Sequence, residues 1–189
     1  MEGKRLTSYA MEELECPKCG HKHSLRKYKV INVTEKAKLK EEIMKNRLYQ
    51  FSCEECEYMA PLTYDSLYVD SRRNIMIYMA PVMNAEIEQE KGIDKRLVDN
   101  INDLKEKIMI VDNHLDDRVI EIIKIMYLDQ IKKEMEDDTL LNILFDYNRD
   151  NYCFLVFFQK KGIGKIPLTR EFYRQVEDKY KEAIKEHST

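Results

Sequence analysis

Cys16-Pro-Lys-Cys19-Gly20-His21 and Cys53-Glu-Glu-Cys56-Glu57-Tyr58 decide how this chain is built, with 33 residues between Cys19 and Cys53. Two cysteines three positions apart on a tight turn place both sulfurs on one side of that turn. Each pair therefore supplies half of a tetrahedral shell, and two pairs can close an all-sulfur zinc site. Pro17 pre-sets φ in the first turn, and Gly20 permits the positive φ that often follows. The second turn has neither, because Glu54, Glu55 and Glu57 stand in those places, and it is the less ideal half. Zinc held by Cys16, Cys19, Cys53 and Cys56 is the leading reading, with redox or iron–sulfur use the second. A shell filled by four sulfurs leaves no position for water, so the metal is expected to be structural and not catalytic.

Composition sets the frame for that site. The 189 residues are 43% hydrophobic and 35% charged with only 5 Gly and 4 Pro, which argues for a packed core over long linkers. A net charge of −3 exerts no general pull on nucleic acid or anionic lipid. The first 30 residues carry no apolar signal region, and no run approaches a membrane span. A cytoplasmic chain with no membrane association, where free thiols survive, is the expectation. The fifth cysteine, Cys153, lies in Cys-Phe-Leu-Val-Phe-Phe and reads as a buried small hydrophobe.

Residues 1–14 read as a polar lead-in. Ser24–Val33 alternates as a strand, and Thr34 can cap a helix from Glu35 to about Arg47. Tyr49–Ser52 returns into the second cysteine pair, and Met59–Val69, a polar turn and Ile75–Met79 follow as strand, turn and strand. Asn84–Lys95, charged and containing Gly92, is the candidate boundary. Leu97, Ile101, Leu104, Ile108 and Val111 then share one helix face, and Asn113 is placed to take a left-handed cap. A second helix from Asp116 or Asp117 to about Glu136 is apolar nearly all round and should be largely buried. Leu140–Tyr147 and Tyr152–Gln159 read as a β-hairpin, and Ile163–Ile166 as a strand ended by Pro167. A last helix capped by Thr169 has Phe172, Val176 and Tyr180 inside, with Ile184 extending the stripe.

The CPKCGH opening, the connection VINVTEKAKLKEEIMKNRLYQFSCEEC and the following YDSLYVDSRRNIMIYMAP resemble the CpXC-domain proteins, a bacterial and archaeal family named for its cysteine pairs. DKRLVDNINDLKEKIMIVDNHLDDRVIEIIKIMYLDQIKK and FFQKKGIGKIPLTREFYRQV are similar to the later parts of longer members. The resemblance implies a zinc-ribbon-like module with Cys16, Cys19, Cys53 and Cys56 as ligands, and no settled activity. Two positions depart from the family's pattern. Glu54 stands where a proline is expected, and His114 where a glycine is expected at the helix break.

The fold expected is α+β: a zinc-ribbon-like β module with an inserted helix over 1–83, then an αα-hairpin, a β-hairpin and a closing helix over 84–189, packed on the first. Other residues read more plainly. His21 and His23 could each replace a cysteine, but four thiols suffice and a solvated strand position is expected. Lys18, Lys22, Arg26, Lys27 and Lys29 form a basic strip that could meet phosphates, opposed by Glu54, Glu55 and Glu57. His114, Asp116 and Asp117 read as a helix break and cap, and Tyr64, Tyr68 and Asp70 as packing at a rim. No nucleophile elbow, phosphate loop or dinucleotide fingerprint is present. The leading function is thus a non-enzymatic module with structural zinc that binds a protein partner or a second copy. Nucleic-acid binding through the Lys18–Lys29 strip is the second reading, and an enzyme with a site at the junction of the two halves the third.

Overall fold

The structure, a computed structural model, describes residues 5–81, 93–134, 137–148 and 151–186. The chain divides into two compact units, Met1–Lys105 and Glu106–Thr189. The architecture is mixed α+β, with four α-helices and three sheets among the described residues. No described helix is long and apolar enough to cross a membrane.

The first unit opens with β1 (Ser8–Glu15), which pairs antiparallel with β2 (Lys22–Asn32). Within the polar lead-in expected over residues 1–14, a strand forms instead, and it escapes the sequence pattern because β1 is exposed or half-exposed along its whole length and so lacks an apolar alternation. Backbone pairing holds it, assisted by an ion pair from Glu12 to Lys27. Helix α1 (Lys38–Met44) is shorter than expected and Thr34 does not cap it; the Thr34 hydroxyl instead accepts the Ser71 N–H at 2.8 Å. A 3-10 turn (Arg47–Tyr49) leads into β3 (Gln50–Ser52), which pairs with β4 (Met59–Pro61) as a separate two-stranded ribbon.

The strand read as Met59–Val69 is therefore two strands, with β5 (Ser66–Asp70) joining the main sheet. β6 (Ile75–Met79) returns antiparallel to β5, and β7 (Asp94–Val98) lies parallel to β6. The sheet order is β1-β2-β5-β6-β7. β5 is buried at every residue and β6 at all but one, as suits strands covered on both faces. Most of the expected boundary, 84–92, lies outside the described residues. Leu97, assigned to a helix face in sequence, sits in β7, and helix α2 (Ile101–Asp112) starts four residues later.

The second unit takes the rest of α2, then α3 (Asp117–Glu134), the antiparallel strands β8 (Leu140–Asn148), β9 (Asn151–Phe158) and β10 (Gly162–Leu168), and α4 (Arg170–Glu186). Ile143 and Phe145 of β8 alternate into one core with Tyr152, Phe154 and Val156 of β9 and Val119, Ile120 and Ile123 of α3. Val176 is buried there, and Phe172, Tyr180 and Ile184 pack against it; Tyr173, not singled out in sequence, is also buried. The Thr169 hydroxyl accepts the Phe172 N–H at 3.1 Å, as a cap should. Pro167 lies within β10, opposite Cys153, and does not end it. β10 is an edge strand, where a missing N–H costs nothing. Cys153 is only half-buried, since it points to the face opposite Tyr152 and Phe154.

Two expectations about the helices change. α2 ends in a Schellman-type closure, with Leu115 N–H donating to Ile110 C=O and His114 N–H to Val111 C=O, both at 3.1 Å. The left-handed residue is His114 (φ 57°), not Asn113, whose amide donates to Met109 C=O at 2.8 Å. This explains why glycine suits the position that His114 fills. α3 is less buried than its sequence suggests, because Ile125 and Met126 are 59% and 40% exposed. The burial goes instead to two charged residues, Asp117 and Lys124.

Lys107 of α2 is buried between Asp117 at 3.1 Å and Glu121 at 2.7 Å. Burial opposes its charge, but the Asp117 and Glu121 carboxylates outweigh burial and hold the ammonium above its usual value of 10.5. A pKa raised in the folded state adds stability at every pH below the unfolded value, and that stability is lost as the folded group deprotonates above it. Lys107→Met should therefore flatten the alkaline limb of the stability curve. Urea unfolding between about pH 9 and 12 reads this; parallel alkaline loss in both proteins would refute it.

Candidate metal centre

Each cysteine pair sits at the tip of an antiparallel strand pair, the first between β1 and β2 and the second between β3 and β4. The two turns close by the same backbone bonds. Gly20 N–H donates to Cys16 C=O at 2.9 Å and Cys16 N–H to His21 C=O at 2.8 Å. Glu57 N–H donates to Cys53 C=O at 3.0 Å and Cys53 N–H to Tyr58 C=O at 2.8 Å. The second turn thus takes the same shape without proline. Its cost shows at one residue: Glu57 has φ 57° where Gly20 has φ 74°. A left-handed non-glycine residue is disfavoured by about 1–2 kcal/mol. Glu57→Gly should stabilise the second turn by about 1 kcal/mol, seen as a higher Tm. An unchanged or lower value would show that the Glu57 side chain outweighs its backbone strain.

The four thiols converge. Their sulfurs all lie within 4.8 Å of one another, and together they form a group that can hold a metal ion. Cys16 Sγ to Cys56 Sγ and Cys19 Sγ to Cys53 Sγ are each 3.6 Å. A tetrahedron with metal–sulfur bonds near 2.3 Å has edges of about 3.8 Å. The spacing thus fits four ligands around one ion, and it is too long for a disulfide bond. Cys16 and Cys53 are buried with Phe51, and Leu14, Leu25, Tyr58 and Leu62 pack around them. This apolar jacket shields the inner half of the cluster.

The electrostatics call for a cation. Burial disfavours the Cys16 thiolate, but the N–H groups of Lys18 and Cys19 and the neighbouring thiols outweigh burial and draw Cys16 down to about 7. Cys19 receives the His21 N–H, yet desolvation and the other three thiols push it up to about 12. Desolvation also raises Cys56, against a favourable N–H from Tyr58. Thiolates a few ångströms apart disfavour one another's charge. A divalent ion removes that conflict and lets all four ionise together.

The other singled-out residues separate clearly. His23 is not simply solvated: its Nε2 lies 3.2 Å from Cys53 Sγ and its ring meets Phe51 edge-on at 5.3 Å. The signal was available, because His23 shares a face of β2 with Leu25, which packs on the cluster. His21 meets His23 edge-to-face at 4.8 Å and stays exposed. The basic strip does not form one surface. Strand alternation puts Lys22 and Arg26 on one face of β2 and Lys27 on the other, and Lys29 lies at a register shift between the pairs Tyr9–Tyr28 and Ser8–Val30. Glu15 lies opposite Lys22, and Glu12 and Glu13 line the neighbouring strand.

Asp70 is buried and takes Lys40 at 3.2 Å, the Tyr68 hydroxyl at 3.5 Å and the Arg72 N–H at 3.1 Å, a turn-fixing role. Tyr64 stacks on Tyr49 and donates to Leu48 C=O. Asp116 accepts the Arg118 N–H at 2.9 Å, as a helix cap does, and Asp117 pairs with Lys107. Among the described residues the four cysteines are the one group with metal-ligating side chains so placed.

Against known proteins, the model of the family described as CpXC protein matches residues 14–124, a stretch that includes all four cysteines. No curated protein and no solved structure matches the chain.

Proposed function

The chain belongs to the CpXC family, and we propose that in this member Cys16, Cys19, Cys53 and Cys56 bind one structural zinc ion in a zinc-ribbon-like module that serves protein recognition. The observation that carries the reading is the convergence of four sulfurs within 4.8 Å at the tips of two strand pairs. Four thiolates suit zinc over the oxygen-seeking cations, and a shell completed by protein sulfur gives a substrate no place on the metal. Bound there, zinc would tie the β1–β2 turn to the β3–β4 turn and set the shape of the surface around them. His23 then sits beside Cys53 as a partner to the sulfur and not as a fifth ligand. A reducing compartment such as the cytoplasm keeps such thiols available for metal. The split of the basic residues over two faces, with Glu12, Glu13 and Glu15 beside them, favours protein over nucleic acid as the partner.

The test is affinity capture from native extract with the zinc-loaded chain and with a Cys16→Ser/Cys53→Ser variant. Protein partners held by the first and lost by the second are expected. Partners that persist on the variant, or release of the captured material by nuclease alone, would overturn the proposal.

A further inference from the structure

A cavity of about 310 Å³ lies against the β1–β2 pair and the segment from Arg47 into β3. Its apolar lining includes Met11, Leu25, Leu48 and Leu62, and Arg26 and Arg47 also line it. Arg26 lies over an aromatic ring, with its guanidinium carbon 4.4 Å from the Tyr9 ring centre and Nη1 donating to the Tyr28 hydroxyl at 3.4 Å. No carboxylate among the described residues pairs with it. Among the described residues Arg47 pairs with Glu42 at 3.2 Å in an exposed contact, which competes weakly.

A planar fork, already oriented on an aromatic face and without an acid partner, matches a carboxylate. The leucine and methionine lining matches an aliphatic group next to that carboxylate. The volume is at the low end for ligand cavities, so it suits the end of a chain better than a chain passing through. Charge decides the rest. Glu13 and Glu15, which alternate onto the same face of β1 as Met11, would repel a polyanion or an acidic stretch, but tolerate one terminal charge.

We propose that this cavity receives the C-terminal carboxylate and last aliphatic side chain of a partner protein. The inference rests on the protein-recognition reading above and names the part of the partner recognised; its residues are distinct from the four cysteines, so each idea can fail without the other. The test titrates the zinc-loaded full chain with acetyl-Ala-Ala-Leu, its C-terminal amide, acetyl-Ala-Glu-Ala amide and oligouridylate, following backbone amide shifts by NMR. The free acid should shift Arg26, Leu48 and Gln50 at millimolar peptide. The leucine amide should bind about tenfold more weakly, as loss of a charge-assisted pair implies. Arg26→Gln should cost a similar factor with the rest of the spectrum unchanged, and Arg47→Gln should weaken binding less. Four results would overturn the proposal: equal binding of acid and amide, equal binding of the glutamate peptide, no shifts at millimolar acid, or a response to oligouridylate alone.

Discussion

If the four cysteines hold zinc as proposed, its removal is expected to open the two cysteine turns and leave the centre of the five-stranded sheet folded. Amide exchange should rise sharply at Cys16, Gly20, Cys53 and Glu57, whose N–H groups are bonded only within the turns. The apolar jacket around the cluster is small, with Phe51 its one fully buried residue besides the two cysteines. It cannot replace a structural zinc site, whose apparent binding free energy is about 10–16 kcal/mol in small zinc-binding peptides. β5 and β6 have their own cover, since Ile77 and Met79 are buried along with Tyr68 and Val69. Their amides should keep their protection, because local opening does not require the whole unit to unfold. Cys53→Ser should reproduce the pattern without chelator, and added zinc should not restore it. Unchanged exchange in the turns would show that protein contacts alone hold them.

The second large effect lies in the other unit. Lys124→Met should destabilise it by about 3–5 kcal/mol, because it leaves Glu106 buried without its counter-charge. Lys124 Nζ is 2.6 Å from Glu106 Oε2, and both residues are almost wholly shielded from solvent. The other Glu106 oxygen accepts the Phe145 N–H on the open edge of β8, so the carboxylate also satisfies a buried backbone donor. Burial already holds the Glu106 carboxyl above its usual range despite Lys124, and losing the ammonium would push it further. The double variant Glu106→Gln/Lys124→Met should recover most of the loss, since glutamine keeps a carbonyl for Phe145 and carries no charge. Urea unfolding of the three proteins decides it. A single variant within about 1 kcal/mol of the parent would show that the pair is not coupled as its geometry implies.

These two regions also mark what could be read from sequence. The thiol cluster was legible because its information is local: two cysteines per tight turn, and a ligand count that completes a shell. The β8–β9 hairpin and α4 were legible because their apolar periods of two and of three to four match one buried face. β1 was not, since an edge strand exposed on both faces leaves no alternation to find. α3 looked apolar all round, and only tertiary packing reveals that Lys124 turns inward while Ile125 and Met126 turn out. That inversion depends on Glu106, 18 residues earlier, and no spacing rule links the two. The left-handed turn after α2 was placed one residue early, as backbone closure and not residue preference decides between Asn113 and His114.

The most direct test is native mass spectrometry of the full chain, purified from zinc-replete cells under reducing conditions, beside the Cys16→Ser/Cys53→Ser variant. One zinc ion per parent chain and none on the variant is the predicted result. A parent chain free of metal, or a variant that keeps its ion, would contradict the four-sulfur site on which the rest is built.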